Sequence, residues 1–427
     1  MRPRLSVLSQ FIRRLPDFER NAWLFLLSVI IGGVSFSVYQ LYFNLYVLSL
    51  GFEKDFLGVL ASIPSGVVLV LGLPLGVLAD RIGRRTSLLL GNLGATLATF
   101  ILVSSASPAV MLAGVFLLGV SQAIFILSVG PFMMTASKES TRTALFSAQF
   151  GLTTLSGFAG SLLAGQLPRW LAGSLAASGA GIESPEAYRA AIALSAVLTL
   201  VSTVPLWLIM EPPEGWGRSS SKAGADQLWR QITRPLVLKL IAPNIFIGFG
   251  AAILIPYMNV FFKERFDMPD DQLGVLFSLA AVTTGVATLY GPKLAERFGK
   301  IRAAVFTQLA SLAFMMLIGF WPGLFVAGLS FLLRGALMNM GGPLYQAFSM
   351  EQVPDGERAT LNSVQTLVWE IGWTVGPALS GFVQQRYGFA PLFLATTIFY
   401  AIAALMTYAF FRNAETKPIL QHERPSF

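Results

Sequence analysis

Apolar runs of about 20 residues follow one another along almost the whole chain, each long enough to cross the ~30 Å hydrocarbon core of a bilayer as a helix. Spans are expected at 22–49, 56–79, 86–104, 108–135, 141–168 and 187–210, then at 236–263, 270–296, 302–320, 322–350, 356–387 and 389–411. Hydrophobic residues make up 54% and charged residues 12% of the 427, about half the charged share of a soluble domain. Mean hydropathy is +0.66. The net charge of +8 is no nucleic-acid footprint. With the first 20 residues on the cytoplasmic side, about 23 of the 30 Lys and Arg fall in cytoplasmic segments. Both termini are therefore expected inside. The basic stretch Arg2, Arg4, Arg13, Arg14 and Arg20 precedes a retained first span, since no short apolar core with a cleavage site is evident. The absence of cysteine excludes disulfides and thiol chemistry, and the single His422 lies in the polar tail, so no intramembrane His relay exists.

The twelve spans divide six and six. The interval from Glu211 to Arg234, with Pro212-Pro213, Gly215 and Ser219-Ser220-Ser221, reads as a cytoplasmic linker between residues 1–210 and 235–427. The halves repeat at an offset of 216: Gly32 matches Gly248, Gly58 matches Gly274, Ser62 matches Ser278, Gly83 matches Gly299, Gly119 matches Gly335, Gln149 matches Gln365, Gly160 matches Gly376 and Gly165 matches Gly381. Charges keep the same register, Asp80-Arg81 with Glu296-Arg297 and Arg142 with Arg358. A constant offset that preserves loop charges marks a duplication. Between the fifth and sixth spans an external stretch, Pro168 to Tyr188, is longer than a hairpin needs.

The loop after the second span reads Gly76-Val77-Leu78-Ala79-Asp80-Arg81-Ile82-Gly83-Arg84-Arg85. Gly76 lets another helix approach, Asp80 sets a carboxylate at a helix end, Gly83 permits a tight turn, and Arg81, Arg84 and Arg85 hold the loop inside. The string resembles the G-x-L-a-D-r-x-G-R-r loop signature of the major facilitator superfamily, with every fixed position present. That resemblance covers nearly the whole chain. It implies an all-α membrane protein of twelve transmembrane helices in two six-helix bundles, a site near the midplane between them, and transport by alternating access. It also implies a gate at the loops. Asp80 and Glu296 with Arg142, Arg297 and Arg358 are expected to latch the halves inside, with Asp80 facing the start of the eleventh helix near Pro354 to Glu357. Gly372, Gly376-Pro377 and Gly381 in the eleventh span resemble a G-x-x-x-G-P signature that drug/proton antiporters of this superfamily carry in helix five. Here the fifth span has Gly157, Gly160 and Gly165 without the proline, and Val115 and its neighbours replace an arginine of helix four.

Two charges lie in the middle third of the bilayer. Arg334 stands about twelve residues from the external end of the tenth span, and Glu370 about twelve from the internal end of the eleventh. Ionisable groups at that depth cost several kcal/mol unless paired or wetted, and mark functional positions. Either the two form a structural pair, or Glu370 takes and releases a proton while Arg334 tunes it or holds an anionic group of the cargo. Their repeat partners, Leu118 and Thr154, are uncharged. Polar groups elsewhere in the spans belong in the bundle interior. Gln40, Asn44 and Gln122 serve either helix contacts or the cargo, and Tyr345, Trp369 and Trp373 add aromatic surface. The expected function is proton-coupled efflux of a small organic molecule by a monomer in the inner (plasma) membrane. Uptake of a nutrient or metabolite by the same fold, or a non-transporting receptor, are the alternatives. Beyond cargo, proton and membrane lipid no partner, metal or cofactor is expected. A membrane enzyme and an ATP-driven pump are disfavoured, because no metal cluster, nucleophile–base pair or G-x-x-x-x-G-K-[ST] loop appears.

Overall fold

Twelve membrane-length helical runs and no strand are found among the described residues, 18–176, 183–210 and 233–414 of this computed structural model. The first half holds α1 (Arg20–Ser49), α2 (Lys54–Ile82), α3 (Arg84–Ser104), α4 (Pro108–Thr135), α5 (Glu139–Ala176) and α6 (Pro185–Trp207). The second holds α7a (Pro235–Ala252) and α7b (Met258–Phe266), α8 (Asp270–Phe298), α9 (Lys300–Phe320), α10 (Leu324–Glu351), α11 (Arg358–Tyr387) and α12 (Ala390–Phe411). The basic N-terminal stretch, the interval 211–232 and His422 lie outside the described residues. Counting α7a and α7b as one, ten of these runs are long and apolar enough to cross a membrane. The other two, α5 and α11, are the helices that each half sends against the other half, so their polar faces need not meet lipid.

The expected external stretch is mostly helix. α5 continues past Pro168 to Ala176, carried by the helix-forming run after Arg169, and α6 starts at Pro185. Ser184 caps α6 by accepting a hydrogen bond from the Ala187 amide, and Pro185 occupies the first turn, where its missing N–H costs nothing.

Within each half the helices pack in the same way: α1 against α5 and α6, α2 against α4 and α3 against α4 and α6; α7a against α11 and α12, α8 against α10 and α9 against α10 and α12. Both halves turn sharply at a glycine, Gly83 (φ 92°) and Gly299 (φ 86°), conformations that a side chain would strain. The halves meet at two crossings, α2 on α11 and α5 on α8. Gly58 faces the Pro377 carbonyl and the Gly381 backbone, and Gly274 faces the Gly165 backbone. Because 58 and 274, like 165 and 381, are repeat partners, one crossing is the other seen through the pseudo-two-fold axis.

These crossings lie at the end of the molecule away from the Asp80 loop. Along α2 the face that touches α11 at Gly58, Ser62 and Gly66 continues through Val70, Leu73 and Val77, which are 73%, 85% and 53% exposed. Along α8 the face that meets α5 at Gly274 and Gly285 continues to Leu289, 78% exposed. The halves thus touch at the distal end and part toward the loop end.

The seventh run, expected unbroken over 236–263, is interrupted at Ile253–Tyr257. Pro256 cannot donate the helical bond to residue 252 and its ring crowds the preceding turn. The carbonyls freed by the break are taken up elsewhere. Gly250 accepts from Thr396 Oγ1 at 3.0 Å, Ile253 from the Ser380 hydroxyl, and Pro256 from Asn44 Nδ2 at 2.6 Å.

Candidate translocation site

At the distal end, side chains tie the two halves together. Asn44 of α1 donates to the Pro256 carbonyl and to Asn259 Oδ1 (3.0 Å), while Asn259 Nδ2 donates to the Leu41 carbonyl (2.9 Å). Lys54 pairs with Glu264 (2.6 Å), Arg169 with Asp271 (2.9 Å), and Lys263 with both Glu183 (2.8 Å) and the buried Asp270. Asn44, a candidate cargo contact in the sequence, is therefore engaged in joining the halves. Asn259 was not singled out beforehand. Its signal was an amide inside an apolar run, one turn beyond Pro256.

The loop end is different. Asp80 is bonded to Arg84 across the Gly83 turn, and Arg85 donates to the Trp207 carbonyl at the end of α6. Glu357, at the start of α11, pairs with Arg234, the last residue of the linker before α7a (2.7 Å). Arg358 donates from Nε to the Met350 carbonyl. Arg297 stacks over Phe298, and neither Arg142 nor Glu296 forms an ion pair among the described residues. A Cβ on Gly76 would find ordinary contact with Leu127 of α4, so this glycine faces its own half. Arg81 is exposed. The expected latch between halves is not closed in this conformer, as the splayed loop end requires.

Arg334 and Glu370 are not brought together. Arg334 is 6% exposed; its Nη2 donates to the Tyr400 hydroxyl of α12 at 2.9 Å, and the guanidinium stands 5.4 Å from that ring's centre. Its Nε is buried without a partner. The Tyr400 ring and hydroxyl together take the place of an acid, since a cation over an aromatic face is held electrostatically. Glu370 points the other way. It is half-buried on α11, with the Ser65 hydroxyl of α2 beside its carboxyl. No sequence pattern distinguishes Ser65 from the other small residues of α2.

The remaining candidates are spread over both halves. Trp369 and Trp373 stack with ring centres 5.9 Å apart on α11, and the Trp373 indole N–H is buried and unbonded. Tyr345 is buried and donates to the Leu240 carbonyl of α7a, a bond that holds α10 to α7a. Gln40, one turn from Asn44, is exposed and bonds nothing among the described residues. Gln122 lines a cavity of about 400 Å³ inside the first half, bounded by α1, α3, α4, α5 and α6.

Two duplicated six-helix bundles, closed at one end and splayed at the other, with ionisable groups at mid-depth, define a two-bundle membrane fold of the kind that the sequence resemblance implies. The family model described as Major Facilitator Superfamily matches residues 24–373 and 240–426. The chain belongs to that superfamily and is a multi-pass membrane protein. It is 25% identical over 174 residues to the multidrug resistance protein MdtG of Dickeya zeae, covering 39% of this chain and 42% of that one. It is also 25% identical over 199 residues to a putative sugar efflux transporter of Deinococcus radiodurans, covering 45% and 50%. The alignments thus span half or less of these two relatives. Among solved structures, a bacterial homologue of the human lysosomal transporter Spinster, inward-facing and unoccupied, superposes with a TM-score of 0.76 at 16% identity, covering 93% of this chain and 97% of that one. At that identity the likeness concerns the fold.

Proposed function

We propose that the protein exports a small organic compound across the cell's inner membrane by alternating access, driven by protons that bind at Glu370. The observation that carries this reading is the place of Glu370, an acid at mid-depth on α11 with Ser65 of α2 beside it. The acid lies between α11 and α2 where the shared face of the two helices begins to part. As a carboxylate, Glu370 can accept from Ser65 and favours the approach of α2; as a neutral acid it competes less well for that hydrogen. Protonation and the α2–α11 separation are then linked equilibria. With the positive loops inside, the splayed end is cytoplasmic and the conformer faces inward. Both termini are then cytoplasmic, and the Asp80, Glu296, Arg142 and Arg358 loops latch in the opposite state. The name of the Deinococcus radiodurans relative, an efflux transporter, supports the outward direction, and uptake of a nutrient is the competing reading.

The test is reconstitution in liposomes, with a cargo found by a thermal-shift screen. Glu370→Gln is expected to keep counterflow exchange and to lose accumulation driven by a pH gradient. Full gradient-driven transport by that variant would remove Glu370 from the coupling role. Accumulation under an alkaline rather than an acid lumen would turn export into proton symport.

A further inference from the structure

Glu370 and Arg334 draw attention to the second half, yet a sizeable cavity lies in the first. At the 216-residue offset Leu118 corresponds to Arg334, Asn92 to Gln308 and Gln122 to Met338. In the second half Arg334 reaches across to Tyr400, and Met338 fills the space beside Ser311. In the first half the leucine stops short and leaves the 400 Å³ cavity. Its mouth is at Phe36 and Ile126, 52% and 65% exposed, and its floor is at Ser35, Ser121 and Ser202, each no more than 3% exposed.

The chemistry of the wall is specific. No carboxylate, ammonium, guanidinium or imidazole lines the cavity. The floor hydroxyls have already given their protons to helix carbonyls: Ser35 to Ser195 (2.6 Å), Ser121 to Leu117 (2.7 Å) and Ser202 to Thr199 (2.7 Å). Ser202 in turn accepts from Asn92 Nδ2 (2.9 Å) and Ser35 is bonded to Thr199 (2.7 Å), so the floor is already hydrogen-bonded. Gln122 and the Tyr39 hydroxyl make no hydrogen bond among the described residues, so an amide and a phenol stand free beside the aromatic and aliphatic side chains. A charged guest would lose its hydration with no counter-ion in return, at a cost an uncharged one escapes. A guest with a hydroxyl or an amide would meet the Gln122 amide and the Tyr39 hydroxyl, which are otherwise unbonded among the described residues.

We infer that this first-half cavity is the cargo site, and that it takes an uncharged compound with an apolar ring or chain and polar groups that pair with Gln122 and Tyr39, such as an aryl glycoside. This rests on the reading of the chain as a carrier of small organic molecules, and it adds a division of labour. The first half holds the cargo while the second carries the ionisable groups, so cargo and proton need not compete for one side chain.

The experiment uses the full chain in nanodiscs and equilibrium binding without any gradient. A failure of proton coupling therefore leaves the result untouched, and a failure here leaves coupling open. The probes share one scaffold: 4-nitrophenyl β-D-glucoside (neutral), the corresponding glucuronide (anionic) and the 2-amino-2-deoxy glucoside (cationic). The neutral probe is expected to bind about tenfold or more tightly than either charged one. Leu118→Arg, which copies the second half, should abolish that binding. Gln122→Leu keeps the cavity's size and should weaken binding about fivefold or more. Gln122→Glu should turn the preference toward the cationic probe, a change that a packing role for Gln122 would not produce. Equal binding of the three probes, absence of neutral binding at millimolar concentration, or neutral binding unchanged by both Leu118→Arg and Gln122→Leu would each overturn the assignment.

Discussion

Gly381 of α11 lies so close to α2 that a Cβ there would overlap the Lys54 carbonyl oxygen. Its repeat partner Gly165 stands in the same relation to α8, with a Cβ falling 3.0 Å from the Asp270 carbonyl and 2.9 Å from the Gly274 Cα. A backbone oxygen cannot move aside as a flexible side chain can, so a methyl group at either position parts the two helices. Gly381→Ala is expected to open the distal end and Gly165→Ala to do so less strongly. The chain has no native cysteine, so Ser49→Cys gives a clean reporter. Its labelling by a membrane-impermeant maleimide should rise several-fold in Gly381→Ala, and unchanged labelling would show that the crossing is not what closes this end.

The Asn44–Asn259 connection predicts non-additive energetics. Asn44→Ala removes two bonds across the halves and leaves the Pro256 carbonyl without its partner. The expected loss is about 1–2 kcal/mol of closed-state stability, or roughly tenfold in population. Because both residues belong to one network, Asn259→Ala added to Asn44→Ala should cost much less than the sum of the single changes. Additive effects on thermal stability would dissolve the network into separate contacts.

The distal ion pairs should differ in importance. Asp270 is 3% exposed, so Lys263→Met strands a buried carboxylate and should cost about 3 kcal/mol. Arg169 is 57% exposed, and Arg169→Met should cost no more than about 1 kcal/mol. Lys263→Met with Asp270→Asn should regain much of the loss, as read by melting temperature in one detergent and by Ser49→Cys labelling. Equal penalties for the two lysine and arginine changes would argue against burial as the cause.

Arg334 and Glu370 share no bond in this conformer and have different neighbours, Tyr400 and Ser65. Stability changes from Arg334→Met and Glu370→Gln are therefore expected to add within about 0.5 kcal/mol. Removing a buried guanidinium that no acid balances should by itself be close to neutral, and Tyr400→Phe should destabilise by freeing its donors. A strong coupling energy between positions 334 and 370 would mean that another populated state joins them.

Much of this architecture was legible in the chain. Span length follows from bilayer thickness, and Gly83 and Gly299 announced their turns by position and repeat. The glycine pairs at an offset of 216 marked the duplication, and only the folded chain shows that Gly58 meets Gly381 and Gly165 meets Gly274 at the two crossings. The break in α7 had a signal in Pro256, which the strength of the surrounding apolar run outweighed. The neighbour of Glu370 had none, because a carboxylate invites pairing with the nearest cation in sequence, whereas helix rotation sets which side chain it meets. Leu118 was visible as the uncharged counterpart of Arg334, but an absent side chain becomes a cavity only once the surrounding helices are placed.

The interruption at Ile253–Tyr257 has a consequence for how the protein moves. α7b has nine residues, fewer than an isolated helix needs to persist in water. It is held by Asn259 and by the packing of Phe261 and Phe262, both buried. When the distal end parts, this segment loses the α1 side of its support, and part of it is free to melt. Opening would then be a local unfolding reaction superimposed on the rocking of two bodies, with a heat capacity and a denaturant sensitivity of its own. A ligand that arrives from that side would find a short stretch of chain waiting to be refolded around it.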